Sequence, residues 1–150
     1  MIEITLLIEP KPQNRPRFSR FSGVYEDKKM ANWRKRCKRL IKNQYNGPKL
    51  AGPFRVDVTF YLKAPQKVSK KPTERSKSDR VAEYKAFKNE RLYVPKKPDL
   101  DNLEKSLYDS VSDAGNIWED DNAVVEHTTR KFYSENPRIK IRIEEISDDS

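Results

Sequence analysis

Between Pro53 and Pro65 the chain alternates without a break. Phe54, Val56, Val58, Phe60 and Leu62 are apolar, and Arg55, Asp57, Thr59, Tyr61 and Lys63 stand between them. Successive side chains of a strand point to opposite faces, so this run dictates a strand with one face on a core. One strand cannot stand alone; it needs paired neighbours and a cover. Residues 2–8 offer a neighbour through Ile2, Ile4, Leu6 and Ile8, residues 138–145 another through Ile139, Ile141 and Ile143, and residues 123–133 a third. The cover comes from helices. Over residues 27–45, Met30, Trp33, Cys37, Leu40, Ile41 and Gln44 fall near one face, while Arg34, Lys35, Arg36, Lys38, Arg39 and Lys42 fill the rest. Residues 79–91 read as a short helix docked by Val81, Tyr84 and Phe87, and residues 100–114 as a longer one. The order β-α-β-(α)-α-β-β is α+β: a small mixed domain closed by an antiparallel hairpin at the C-terminus. At 150 residues it is expected to be a single domain, 1–150, with a flexible basic insertion at about 64–94 and an acidic tail at 144–150.

Charge is divided along the chain. Residues 1–98 carry 26 Lys/Arg against 9 Asp/Glu, whereas residues 99–150 carry 6 against 14. A solvated charged surface is one explanation; a polyanionic partner such as nucleic acid is the better one. The loop Lys11-Pro12-Gln13-Asn14-Arg15-Pro16-Arg17-Phe18-Ser19-Arg20 is basic with an aromatic in its midst, and its prolines argue against regular structure. Arg15, Arg17 and Arg20 are candidates for gripping phosphate, as are Arg34, Lys35 and Lys38 on the basic helix and Lys131 on a late strand. The single cysteine, Cys37, excludes an internal disulfide and a cysteine-based zinc site. No apolar run approaches the ~20 residues that span a bilayer, and the first residues do not read as a leader. A cytoplasmic protein with no membrane partner and no small-molecule substrate is expected.

Against this basic background stands one dense acidic region. In the helix over 100–114, Leu100, Leu103, Leu107, Val111 and Ala114 fall within about 80° of arc. Asp101, Lys105 and Asp109 recur one turn apart on the other side, and Gly115 suits the helix end. Asp99 precedes the helix, and Asp120-Asp121 follow the turn after Gly115. Two explanations compete. Acids at a helix start answer its dipole, and Asp101 with Glu104 three residues on fits a capping box. Alternatively, crowded carboxylates repel unless a cation sits among them, and Mg²⁺ takes carboxylate oxygens together with substrate phosphate. A basic surface with one acidic pocket suits phosphodiester hydrolysis.

Pro98-Asp99-Leu100-Asp101-Asn102-Leu103-Glu104-Lys105, then Asp109, Ala114-Gly115, Trp118 and Asp120-Asp121, resembles the RusA family of Holliday-junction resolvases. The order of an N-terminal strand, a Pro/Arg loop, a basic helix and a late hairpin is similar too, so the resemblance covers residues 4–146. It implies a homodimer that binds four-way branched DNA and resolves it by paired symmetric nicks, with Mg²⁺ as cofactor, in recombination and repair. By position, Asp99 and Asp101 resemble the family's first two catalytic aspartates, Lys105 its required lysine, Asp121 the third aspartate and Asp120 its acidic neighbour. The resemblance thus implies a metal set of Asp99, Asp101, Asp121 and Asp120. A less selective branched-DNA or flap nuclease, and a non-catalytic basic DNA-binding protein, remain as alternatives. His127 and Trp118 are expected to be structural, with Trp118 packed under the loop.

Overall fold

A computed structural model describes residues 1–13, 17–19, 23–25 and 27–148. Its strands are β1 (Ile2–Leu6), β2 (Arg17–Ser19), β3 (Gly23–Tyr25), β4 (Phe54–Lys63), β5 (Val124–Ser134) and β6 (Arg138–Glu145). Its helices are α1 (Lys28–Gln44), α2 (Gln66–Ser69), α3 (Ser78–Lys88) and α4 (Leu100–Ala114). The class is α+β, as expected. The Pro-rich loop differs from expectation: β2 and β3 pair antiparallel, with Phe18 opposite Val24.

The main sheet has the order β1-β6-β4-β5. β6 is antiparallel to both β1 and β4, with Ile141 between Ile4 and Val58, and β5 runs parallel to β4. The two C-terminal strands are therefore antiparallel, as expected, but they are the arms of a split hairpin with β4 between them. The alternation explains the preference for that slot. A strand between two neighbours satisfies its N–H and C=O groups on both sides, and β4 brings the fully buried Phe54, Val56 and Val58 to the centre.

α1 and α4 cover that apolar face. Cys37 and Ile41 of α1 and Leu103, Leu107 and Val111 of α4 meet Ile4, Leu6, Phe60, Ile139 and Ile143 in one core. Asp27 caps α1, its Oδ1 accepting the N–H of Lys29 at 2.7 Å. At the other end Gln44 accepts from the Thr5 N–H at 3.2 Å and donates to the Thr5 carbonyl. That amide blunts the open edge of β1. Burial pushes the Cys37 thiol up to about 12, leaving it protonated and packed as a small apolar side chain.

Residues 64–94 hold the expected helix, α3, and a further short one, α2. Val68 of α2 and Phe87 of α3 join Leu62, Val94 and Tyr133 in a second, smaller core. α3 ends in a Schellman arrangement: the N–H of Glu90 reaches the Phe87 carbonyl and that of Arg91 the Ala86 carbonyl, both at 2.9 Å. Glu90 takes the left-handed conformation (φ 57°) that this ending needs. Its carboxylate accepts two bonds from Arg138, at 2.6 and 2.8 Å, and the guanidinium lies 3.9 Å from the Tyr61 ring centroid. The bonds from Arg138 hold the Glu90 carboxyl down to about 2, against an ordinary 4.5. The folded value is depressed, so this contribution is whole above the ordinary value and is lost as pH falls toward 2. Glu90→Gln should cost about 1 kcal/mol at neutral pH, a figure reduced for partial exposure. It should also flatten the dependence of stability on pH between 5 and 2. Urea unfolding across that range checks both; parallel pH curves for the two proteins would refute the assignment.

Candidate active site

α4 carries the site, and its sequence makes the helix amphipathic enough to present one face to the core and the other to solvent. Gly115 ends it in the left-handed conformation (φ 71°), its N–H reaching the Val111 carbonyl at 3.2 Å. Two buried serines allow close approach on the inner side. Ser110 donates to the Ser106 carbonyl, and Ser106 donates to the carbonyl of Lys11. The N–H of Gln13 donates to the Asn102 carbonyl at 2.9 Å. The described start of the Pro/Arg loop is thus fastened across the first turns of α4, beside the acidic motif.

The capping-box explanation does not hold. Asp99, not Asp101, occupies the N-cap position, and its side chain makes no capping bond. Asp101 Oδ1 takes the adjacent N–H of Asn102 at 3.0 Å. Glu104 turns instead to His127 on β5, 2.8 Å from Nδ1. The exposed Asp99 carboxylate is left uncommitted among the described residues.

One and two turns along, Lys105 bonds Asp109 at 3.0 Å, the pairing that their spacing permits. Asp109 also receives Arg34 of α1 at 3.2 Å, and the same guanidinium donates to Gln13. The loop after Gly115 is anchored in three ways. Trp118 is fully buried, 5.5 Å from the Phe54 ring and edge-on to Tyr108 at 5.9 Å, and donates from Nε1 to Ser112 Oγ at 2.8 Å. Asn116 donates to the Tyr45 carbonyl at 3.0 Å, and the Ile117 carbonyl accepts the Leu50 N–H at 2.7 Å. Asp120 Oδ1 then accepts the Asn122 N–H at 2.9 Å, opening a single 3₁₀ turn at Asp121–Ala123.

This brings Asp120 and Asp121 together and beside Lys105. Burial, then the hydrogen bond and charge of Asp120, push the Asp121 carboxyl up. The Asn122 N–H, then the bond from Asp121, hold the Asp120 carboxyl down. The Lys105 ammonium favours the charged form of both. Burial also pushes the Tyr108 phenol up, helped by the Glu104 carboxylate. Its hydroxyl lacks a well-aligned hydrogen-bond partner among the described residues.

Such a pair, with one carboxyl strained toward protonation, is what a cation would relieve. The oxygen-only donors suit a hard divalent ion such as Mg²⁺. Asp120, Asp121 and the uncommitted Asp99 therefore fit the chemistry of the group. They are not drawn into one shell: among the described residues no three His, Cys, Asp or Glu side chains lie close enough to share a metal ion.

The candidate DNA-gripping residues fall into distinct places. Arg15 and Arg20 lie outside the described residues, and Arg17 is described only as backbone in β2. Lys35 is exposed and Lys38 half-buried on α1. Arg34 is at the α1–α4 contact, on Asp109. Lys131 sits on β5, and its ammonium donates to the carbonyls of Lys96 and Pro98, each at 2.6 Å. Spacing gave no sign of this inward role, because it depends on the 92–98 segment running beside β5, where Val94 N–H meets the Lys131 carbonyl at 3.2 Å. Lys131 thereby ties down the residue before Asp99. Lys131→Met should lower stability by about 1–2 kcal/mol in urea unfolding. It should leave the salt slope of DNA binding unchanged, whereas a slope smaller by about one would place this ammonium on a phosphate.

The chain is 31% identical over 149 residues to a Bacillus subtilis (strain 168) protein named "Uncharacterized protein YqaN", spanning 97% of both chains. The family described as "Endodeoxyribonuclease RusA" matches residues 8–144, which include the whole of α4, the loop after it and the whole of β4 and β5. A match of that extent across the acidic motif makes this chain a member of the RusA endodeoxyribonuclease family.

Proposed function

We propose that this protein is a Mg²⁺-dependent endonuclease that resolves four-way DNA junctions by paired nicks, acting as a homodimer in the cytoplasm during recombination and repair. Membership of the family supports nuclease action on branched DNA. The observation that carries the metal-dependent reading is the Asp120–Asp121 pair beside Lys105, with the Asp121 carboxyl raised by its burial and by its neighbour.

In this reading Asp99, Asp101 and Asp121, with Asp120 beside them, would hold the cation. Once bound, Mg²⁺ supplies an acidified water and offsets charge on the departing oxygen. The chain's own residues do the rest. Lys105, 60% exposed, presents its ammonium to the scissile phosphate, where charge develops in the transition state. Arg34 holds Asp109, and Asp109 orients Lys105 from the next turn. The Arg15–Arg20 loop and the exposed side of α1, with Lys35 and Lys38, grip the arms. A junction has approximate two-fold symmetry, and a symmetric dimer meets it with two sites on opposed strands.

The test is incubation of the pure protein with an end-labelled mobile four-way junction, with Mg²⁺ and with chelator, and mapping of the nicks. Matched nicks across the junction in Mg²⁺ alone are expected. Equal cutting of flaps would favour the less selective nuclease, and tight binding without cutting would favour the non-catalytic binder.

A further inference from the structure

A cavity of about 510 Å³ opens beside Asp99. It lies between the start of the Pro/Arg loop, the end of β4 and the first turn of α4. Three proline rings (Pro10, Pro12 and Pro98) and Leu62 supply its apolar wall. Its polar lining is mixed: Glu9 and Asp99 contribute carboxylates and Gln13 an amide, beside Lys63, Lys97 and Asn102. Lys63 and Lys97 bring ammonium groups that have no ion-pair partner among the described residues. Asn102 brings an exposed side-chain amide with no hydrogen bond among the described residues, although its backbone carbonyl is held by Gln13.

These are the features of a ligand pocket rather than of a packing defect: an apolar wall with a few polar groups, in the ~300–1,000 Å³ range of small-molecule sites. Flat apolar walls suit a nucleobase, the two ammoniums suit a phosphate, and an amide offers a donor and an acceptor together to a base edge. The position narrows the choice further. If Asp99 stands at the scissile phosphate, the cavity is next to the nucleotide that borders the cut. At a branch point the helical stack is interrupted, so taking one base out of it costs least there.

We propose that this cavity receives one unstacked nucleotide bordering the cut phosphate, with Asn102 reading its base edge and Lys63 and Lys97 holding its phosphate. The proposal rests on the nuclease reading above and extends it to the origin of base preference at the cut. Asn102 is here a specificity residue, distinct from the carboxylates on either side of it.

The test places 2-aminopurine, which brightens when unstacked, at each nucleotide around the mapped nick of a four-way junction. Binding is followed in chelator so that nothing is cut. A several-fold rise at one nucleotide bordering the nick is expected for the wild-type protein. Asn102→Ala and Lys63→Ala should each lose at least about half of that rise while junction affinity changes by less than about threefold, since most affinity comes from other phosphates. In Mg²⁺, wild-type cutting should differ roughly tenfold between the best and worst base at that nucleotide, the scale of one two-bonded amide contact, and Asn102→Ala should level it. A junction that is bound and cut with no brightening at any bordering nucleotide would overturn this proposal alone, as would an equal rise in both variants. Failure to bind or cut any branched DNA would instead overturn the nuclease reading, and this proposal with it.

Discussion

Asp99→Asn, Asp101→Asn and Asp121→Asn should each abolish measurable cutting and leave junction binding nearly intact. A carboxylate that holds a cation at the reacting phosphate contributes in the transition state, and an amide oxygen is a poor substitute. A loss of at least about 10²–10³-fold per site is expected, the scale seen when one charge-stabilising group is removed from an active site. Binding follows a different set of residues, because it comes from neutralising phosphates along the arms. Each substitution removes one negative charge from the site, so affinity should stay the same or rise slightly. Single-turnover cutting and a binding titration in chelator measure the two effects separately. Wild-type rates in any two of the three variants would show that these carboxylates do not hold the metal. The local electrostatics add a distinction between neighbours. Asp120→Asn removes the charge and hydrogen bond that push Asp121 up, so that carboxyl should return toward its ordinary value.

Trp118→Ala should be the most destabilising single change near the site. Its side chain is 1% exposed and fills the space between Phe54 of β4 and Tyr108 of α4. Truncating such a residue costs about 3–5 kcal/mol through lost transfer energy and the cavity left behind. Ser112 Oγ also loses the donor that it accepts from. Set against a total stability of roughly 5–15 kcal/mol, the loss brings the domain close to unfolding at ambient temperature. Trp118→Phe keeps one aromatic ring but loses the Nε1 hydrogen bond and the volume of the second ring, so an intermediate loss of about 1–3 kcal/mol is expected there. Chemical denaturation of the three proteins gives the ranking. An unchanged midpoint for Trp118→Ala would show that the indole does not support the loop. Asp120 and Asp121 follow two and three residues later, so the Phe variant also tests how closely their position depends on this anchor.

Local pattern alone was enough for much of the architecture. The alternation of Phe54 to Leu62, the apolar arc of Leu100 to Ala114 and the glycine after it specify one strand, one helix and one helix end, and α4 runs Leu100–Ala114 as that pattern requires. The turn-by-turn spacing of Asp101, Lys105 and Asp109 likewise determines that Lys105 and Asp109 meet, because residues four apart on a helix are neighbours whatever surrounds them. The acidic motif carried the family in the same way. Tertiary structure decided everything that depends on which face meets which. Periodicity tells that a side is buried but does not name its neighbour, so the insertion of β4 between β5 and β6 was not legible. The same holds for Arg34, which read as one more cation on a basic helix. It reaches Asp109 only because α1 and α4 lie side by side on the sheet. Glu104 read as a cap partner for Asp101, yet β5 brings His127 within 2.8 Å of it. Lys131 read as a surface cation, and the segment before Asp99 supplies the two carbonyls that turn it inward. In each case an electrostatic partner came from a residue remote in the chain, and only packing of the helices and strands set the distance over which those charges act.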